Sequence, residues 1–494
     1  MNISEMAYIV ETEKRVPVAY DVDVVIAGGG ISGVFAALAA ARTGVSVLLV
    51  ERSGILGGNI GAGYIIGGDA TGETKLSLDH ELPSIPKELF SRLEKLECRK
   101  QKKYNYAEAA NMFSYLSLKM SEEAGVELVL SAYASDPIMD EGKVRGIFIE
   151  GKSGRVAAKA KIVIDATGDA SIAQRAGADI IRNVSKDYSS YGNLIRNSTG
   201  DFELYDESGL FMMIGNVDNE KYRRFIEESN EITVEERAWA EENIKGPKVD
   251  VFGDPFVPYM KKAWESGEFR AVKELDDPNI TISSNRKIGP YGGDNFGGRG
   301  AIAAGQIDMG DMRCISVLEK ELRIHAFETV QFLKKYIPGF ENAYLMFTSP
   351  FIGSRGGPCI EGEHVLTVEE TATGARFRDV MFQNFRVKPS IYEDWVKTGC
   401  DVPYSMMLPK GIDDMMVIGR GASYIQRGHD GAGMMRTRPI MMALGQAAGM
   451  AAAMCIKDNK TPMTLDIKRL QMALLKEGFN IGNTERLREL GLIV

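Results

Sequence analysis

The chain has 494 residues, 44% of them hydrophobic and 26% charged, with 59 basic against 68 acidic side chains. This balance excludes a disordered or fibrous chain, and the length suggests roughly three core-sized units. A net charge of −9 argues against nucleic acid as a partner, and the sequence shows no apolar run near the roughly 20 residues of a membrane span.

The N-terminus carries no basic segment followed by an apolar core, so no secretory signal is expected. Five cysteines stand far apart, and none forms a CxxC pair. That spacing predicts no metal site and no dithiol redox pair, and it suggests a reducing, cytoplasmic setting.

Val22–Ala27 is a short apolar run that ends in Gly28-Gly29-Gly30 and reads as a buried parallel strand. Ile31–Thr43 reads as a helix closed by Gly44, and Val45–Val50 as a second strand ending at Glu51. Helices are expected over Ile85–Glu97 and Ala107–Ala124, then a strand over Val126–Leu130. Val144–Glu150 and Val156–Lys159 read as a hairpin, followed by a buried strand over Lys161–Ala166. Between Asp187 and Asp311 the pattern weakens to loops, a helix at Val234–Asn243 and a glycine-rich stretch, Gly289–Gly305, expected as a lid or pocket wall. A long helix covers Ile315–Tyr336 and a strand covers Met415–Ile418. A helix of small residues covers Pro439–Ile456, and a terminal helix covers Leu465–Glu477.

Gly28-Gly29-Gly30-Ile31-Ser32-Gly33 fits G-x-G-x-x-G between a buried strand and a helix, where that pattern binds a dinucleotide. Gly28 permits the tight turn, Gly30 lets backbone approach a pyrophosphate, and Gly33 lets the helix pack on the strand. Glu51 stands about 20 residues on, where a carboxylate holds a ribose diol and repels a 2′-phosphate. FAD and NAD share this adenosine half. Asp165–Asp169, Met415–Arg420 and the loop Gly428–Gly433 before Pro439 look like the returns that a flavin half requires.

The sequence resembles FAD-dependent oxidoreductases with the glutathione-reductase-type FAD fold, and more loosely the fumarate reductase and thiazole synthase flavoproteins. The segments that carry the likeness include DVDVVIAGGGISGVFAALAAARTGVSVLLVER, AKIVIDATGDASIAQRAGAD, PYSMMLPKGIDDMMVIGR and RTRPIMMALGQAAGMAAAM. The resemblance implies an α/β protein. Its Rossmann-like FAD-binding domain, a parallel sheet with a β-meander, would come from residues 1–184 and 400–494. An α+β substrate domain would be inserted over residues 185–399. FAD contacts are implied at Gly28, Gly30, Ser32, Gly33, Glu51 and Arg52, and beside the pyrophosphate or flavin at Gly57, Gly58 and Asn59. Ala132 would lie near adenine, Ala166, Thr167 and Gly168 at a strand end, and Gly419 and Arg420 near the ribityl chain. Arg436, Arg438 and Pro439 would meet the isoalloxazine. The sequence departs from many members at Asn59-Ile60, at Ser354–Cys359 and at His364, all where a substrate pocket is expected.

The cofactor supplies the hydride chemistry, and the protein must supply orientation and proton transfer. His429 is the candidate acid or base, because an imidazole titrates near neutrality and its loop should face the flavin. Arg436 and Arg355 are candidates to hold an anion, and Tyr64 to donate to a substrate carbonyl. His325, inside a long helix, is expected to be structural. No second strand-anchored glycine fingerprint appears, so no separate NAD(P) domain is expected. The leading expectation is hydride transfer between FAD and a small organic substrate. A flavin-bearing electron-transfer subunit and a redox-neutral isomerase remain alternatives, as does a homo-oligomer or a redox partner protein.

Overall fold

A computed structural model describes residues 7, 9–61, 63, 82–96, 106–181, 194–196, 202–204, 206–244, 251–275, 280–284, 288–305, 307–354, 357–384, 399–425, 435 and 437–494. The first sheet begins with β1 (Val18–Ala27), α1 (Ile31–Arg42) and β2 (Val47–Glu51). β1 and β2 run parallel, with Val24 opposite Val47 and Ala27 opposite Val50. Both strands end fully buried, which is why their sequences are continuous apolar runs. After α2 (Ser84–Lys95) and α3 (Tyr106–Ala124), β3 (Glu127–Leu130) adds parallel to β2. An antiparallel meander of β4 (Tyr133–Asp140), β5 (Lys143–Gly151) and β6 (Gly154–Asp165) then returns the chain alongside β1. The order is β3-β2-β1-β6-β5-β4, and α4 (Ser171–Arg175) follows.

Two expectations change here. Val156–Lys159 and most of Lys161–Ala166 belong to one 12-residue strand, β6, because its first half pairs with β5 while Ala157–Asp165 lies along β1. β4 was not expected; Pro137 sits at a register irregularity of this edge strand, and that hides its periodicity.

The second sheet lies further along the chain. After β7 (Ile180–Ile181), β8 (Leu194–Arg196) pairs with β9 (Phe202–Leu204), and the long β10 (Asp206–Gly215) begins. Helices α5 (Asn219–Glu228), α6 (Val234–Asn243) and α7 (Val257–Glu265) precede β11 (Val272–Glu274), β12 (Ile280–Ser284), β13 (Gly289–Gly292) and β14 (Asn295–Gly305). α8 (Met312–Tyr336), β15 (Tyr344–Thr348) and β16 (Gly353–Ser354) complete the unit. Its antiparallel order is β11-β12-β14-β10-β15. Leu210, Met212 and Ile214 of β10 share a core with Leu318, Leu322 and Ala326 of α8.

The glycine-rich stretch expected as a lid or pocket wall is two paired strands, β13 and β14, rather than a loop. Two of its glycines serve packing. A Cβ on Gly297 would stand 2.6 Å from the Met212 carbonyl, and one on Gly300 would stand 2.2 Å from Met212 Cε.

The rest of the chain returns to the first sheet. β17 (Cys359–Ile360) pairs with β7. After α9 (Val368–Thr373), β18 (Val380–Asn384) pairs with β19 (Cys400–Pro403). Leu366, Val380, Met381 and Phe382 share the core of α1, although the sequence reading placed residues up to 399 in the insertion. β20 (Met415–Val417) joins β6 in parallel. α10 (Arg438–Asp458), α11 (Ile467–Lys476) and α12 (Thr484–Glu489) close the chain. α10 is, against expectation, long and apolar enough to cross a membrane by length and composition. Its apolar window is 89% buried inside the fold.

Candidate cofactor site

The site is built on the carboxyl edge of the first sheet, where β1, β6 and β20 end side by side. After β1, the Gly28 N–H donates to Val50 O at 2.8 Å, and the chain turns with φ +109. A Cβ on Gly28 would lie 2.5 Å from Ala166 O, so this turn presses on the end of β6. A Cβ on Gly33 would lie 1.9 Å from Gly28 O, so α1 sits directly on the turn. Gly30 differs from both: its Cβ would meet nothing within 4 Å. The glycine at the tip of the loop, capping α1, thus faces open space where the helix offers unpaired N–H groups and a partial positive charge.

A second loop covers the first. Gly57 N–H donates to Gly29 O at 2.9 Å, and a Cβ on Gly58 would stand 3.0 Å from Gly30 Cα. Asn59 is half-buried in the same loop. Glu51 ends β2 and is 7% exposed. Its Oε2 accepts from Gly29 N–H at 2.7 Å and its Oε1 from Ser53 N–H at 2.8 Å. These bonds, with a third from Ser53 Oγ to Oε1 at 2.7 Å, hold the carboxylate against the glycine loop, and Oε2 keeps acceptor capacity for a diol. Ala132 is buried one strand over, its N–H donating to Glu51 O at 3.2 Å.

The β6 end is tightly knotted. Asp165 is fully buried and accepts four hydrogen bonds: from Thr167 N–H at 3.0 Å and Oγ1 at 2.6 Å, and from Ile172 and Ala173 N–H at 2.9 Å each. Burial pushes its carboxyl above the usual range, while these donors pull it down and the nearby Asp169 charge adds a smaller push up. Ala166 lines the same turn, and Gly168 (φ +87) lies 3.5 Å, measured from its would-be Cβ, from the Arg420 guanidinium. Gly419 (φ +72) closes the edge, its would-be Cβ 3.3 Å from Ser32 Oγ. α10 then crosses α1 closely: Cβ atoms on Gly445 and Gly449 would lie 2.2 Å from Ser32 O and Ala36 O. Arg438 and the buried Pro439 form the first turn of α10. Thr437 stands at its N-cap, yet its hydroxyl bonds no helix N–H, and its buried Oγ1 has no partner among the described residues.

The second sheet reaches this edge through Phe351. Arg52 lies over the Phe351 ring at 5.1 Å, and a Cβ on Gly63 would stand 3.2 Å from the same ring. Ser349 ties Phe351 back to the sheet, donating to Phe351 O at 3.0 Å and accepting from Phe211 N–H at 3.3 Å. Phe211 projects opposite the α8 core and packs on Tyr291 and Phe347, with centroids 5.7 and 6.3 Å apart.

His429, Arg436, Arg355 and Tyr64 lie outside the described residues. His364 does not stand open. Its Nε2 lies 3.2 Å from Glu370 and its ring 4.7 Å from Phe377. His325 is structural, as expected: it is fully buried, its Nε2 lies 3.0 Å from Ser284 Oγ, and burial lowers its pKa to about 3. Sequence reasoning missed Ser53, whose signal is a hydroxyl two residues past the acid. It placed Asp169 and Thr437 within candidate stretches without singling them out, because no pattern announces their open polar atoms, and it missed Phe351, which carries no signal at all.

A strand–glycine turn–helix unit with an acid at the next strand end defines a dinucleotide-binding α/β protein. The family model described as FAD dependent oxidoreductase matches residues 23–474, and the chain belongs to that family. It is an FAD-dependent oxidoreductase by class, with FAD as its cofactor. Among curated relatives, digeranylgeranylglycerophospholipid reductase of Methanoculleus marisnigri is 28% identical over 166 residues, 32% of this chain and 42% of that protein. Protein FixC of Escherichia coli K12 is 30% identical over 170 residues, 30% of this chain and 37% of that protein. The chain thus matches about two-fifths of the length of these relatives. Among solved structures, a geranylgeranyl bacteriochlorophyll reductase-like protein from Thermoplasma acidophilum is 16% identical with a TM-score of 0.42, over 96% of this chain and 86% of that one. A myxobacterial chondrochloren halogenase is 11% identical with a TM-score of 0.38, over 92% and 78% of the two chains.

Proposed function

We propose that the chain holds FAD along the carboxyl edge of the first sheet and transfers hydride between it and a small organic molecule under the second sheet. The observation that carries this reading is Gly30, the one glycine of the fingerprint whose would-be Cβ points into open space while Gly28 and Gly33 are tightly packed. That is the arrangement a pyrophosphate needs, with backbone N–H groups presented and no side chain in the way.

In this reading Gly30, Ser32 and Gly58 cradle the pyrophosphate, and Glu51 orients the adenosine ribose. Ala132 borders the adenine, and Ala166, Gly168, Gly419 and Arg420 border the flavin half. The N-terminus of α10, with Arg436, Arg438 and Pro439, faces the isoalloxazine and favours negative charge there. FAD, when bound, supplies the hydride chemistry. His429 then serves as the proton carrier, Arg355 and Arg436 hold an anionic group, and Tyr64 orients a carbonyl. The Phe211, Tyr291 and Phe347 cluster supports an apolar wall that keeps water from the reacting atoms. A reducing, cytoplasmic setting fits Cys314, Cys359, Cys400 and Cys455 being thiols rather than disulfides. Burial raises Cys400 and Cys455 to about 12, which keeps them as inert thiols.

The test is an anaerobic spectrum of the purified chain followed by titration with metabolites. A flavin band near about 450 nm is expected, bleached by one class of reductant substrate or, after dithionite reduction, restored by one class of acceptor. A chain that takes up no flavin after reconstitution overturns the reading.

A further inference from the structure

The turn after β6 carries three polar side chains, and two are consumed within it. Asp165 holds four donors. Thr167 Oγ1 donates to Asp165 at 2.6 Å and accepts from Ser171 N–H at 3.1 Å. Asp169 is different: its Oδ1 is buried and has no hydrogen-bond partner among the described residues. A carboxylate oxygen withdrawn from water without a donor is costly, so such an atom marks a donor supplied from elsewhere.

Chemistry and position narrow that donor. An ionised carboxylate only accepts, so the donor is an O–H or N–H group. β1, which carries the Gly28–Gly30 turn, lies between β2 and β6. Glu51 ends β2 on one side of that turn, and Asp169 follows β6 on the other. A dinucleotide with its adenosine ribose at Glu51 and its pyrophosphate at Gly30 therefore directs its second half past Asp169. In FAD the segment next to the pyrophosphate on that side is a polyol.

We propose that Asp169 Oδ1 accepts a hydrogen bond from a ribityl hydroxyl of FAD, beside the Thr167 hydroxyl, whose proton is already given to Asp165. This rests on the FAD reading above. It adds to this turn a side-chain contact from a residue that the sequence pattern did not single out.

The test titrates the flavin-free chain with FAD and, separately, with ADP, which carries the adenosine half and no ribityl chain. Asp169→Ala is expected to raise the FAD Kd ten- to hundredfold and leave the ADP Kd within twofold. Asp169→Asn keeps an acceptor but loses the charge, so its FAD Kd should fall between wild type and Asp169→Ala. It also provides the reading should the alanine variant not fold. An unchanged FAD Kd in a folded variant overturns the proposal, because Asp169 then faces something other than the cofactor. Equal weakening of FAD and ADP also overturns it, because Asp169 then acts by holding the turn. A wild-type chain that binds ADP but not FAD defeats the FAD reading itself, a distinguishable result.

Discussion

At the scale of single residues, three glycines of one motif do three different jobs, and their neighbours tell them apart. Gly30 has extended backbone (φ −69, ψ −175) that alanine adopts freely, and its Cβ would meet nothing within 4 Å. Gly33 has a backbone oxygen 1.9 Å from its would-be Cβ. Gly30→Ala should therefore fold with a thermal midpoint near wild type without cofactor, yet bind FAD at least about tenfold more weakly, since the methyl takes the pyrophosphate's place. Gly33→Ala should cost about 1–3 kcal/mol of stability before any cofactor is added, because α1 must move off the turn. Thermal unfolding of the flavin-free proteins beside FAD titration separates the two. A Gly30→Ala protein that binds FAD like wild type would show that the open space serves something else. The chemistry of the other site residues follows the same logic of commitment: Glu51 is braced by Gly29 and Ser53, Thr167 is spent on Asp165, and Thr437 and Asp169 keep open atoms.

At the scale of elements, the glycine turn is only as well placed as the helix behind it, and α10 places that helix. Gly445 and Gly449 let α10 approach the backbone of α1 at Ser32 and Ala36. A methyl at either position pushes the helices apart. Gly449→Ala should lower the thermal midpoint by a similar amount with and without FAD, since Ala36 lies a turn beyond the cradle. Gly445→Ala presses on Ser32 itself and should weaken FAD binding as well as stability. Equal FAD affinities in the two variants would remove α10 from the positioning of the cradle. This interplay was partly legible in the sequence: the small residues of α10 announced a close neighbour, but α1 as that neighbour depends on a contact across most of the chain. The βαβ unit was legible because its periodicity, glycines and acid are local. β14 was not, because glycines that admit Met212 across a strand look the same in sequence as glycines that form a loop. β4 was hidden by Pro137 at an irregular register. Within the site, the turn geometry was readable from spacing, whereas the reach of Phe351 to Arg52 depends on how the second sheet is set against the first.

At the scale of the whole molecule, the described residues build separate hydrophobic cores, around α1 and α10 beneath the first sheet and around α8 beneath the second. A protein of this size with distinct cores and a bound cofactor is not expected to unfold in a single two-state step. The two units should also answer to different variables. In the proposed reading FAD binds only the folded first sheet, so added cofactor should raise the unfolding transition of that unit by mass action. The second core contains His325, fully buried beside Phe269 and held neutral, with burial lowering its pKa from 6.5 to about 3. In the unfolded chain this imidazole takes up a proton near pH 6.5 while the folded one does not. The unfolded state therefore binds more protons between about pH 6.5 and 3, and stability falls as pH drops through that window. Between pH 7.5 and 5 this one group should remove about 2 kcal/mol from the second core. His325→Leu fills the site with an apolar side chain, and Ser284 keeps Thr329 as a partner at 3.0 Å. Scanning calorimetry at pH 7.5 and 5, with and without FAD, should show one transition that shifts with cofactor and another that shifts with acid. In His325→Leu the acid shift of the second should shrink while the cofactor shift of the first persists. Loss of both shifts together would mean that the two cores unfold as one unit, and an undiminished acid shift would mean that other groups carry it.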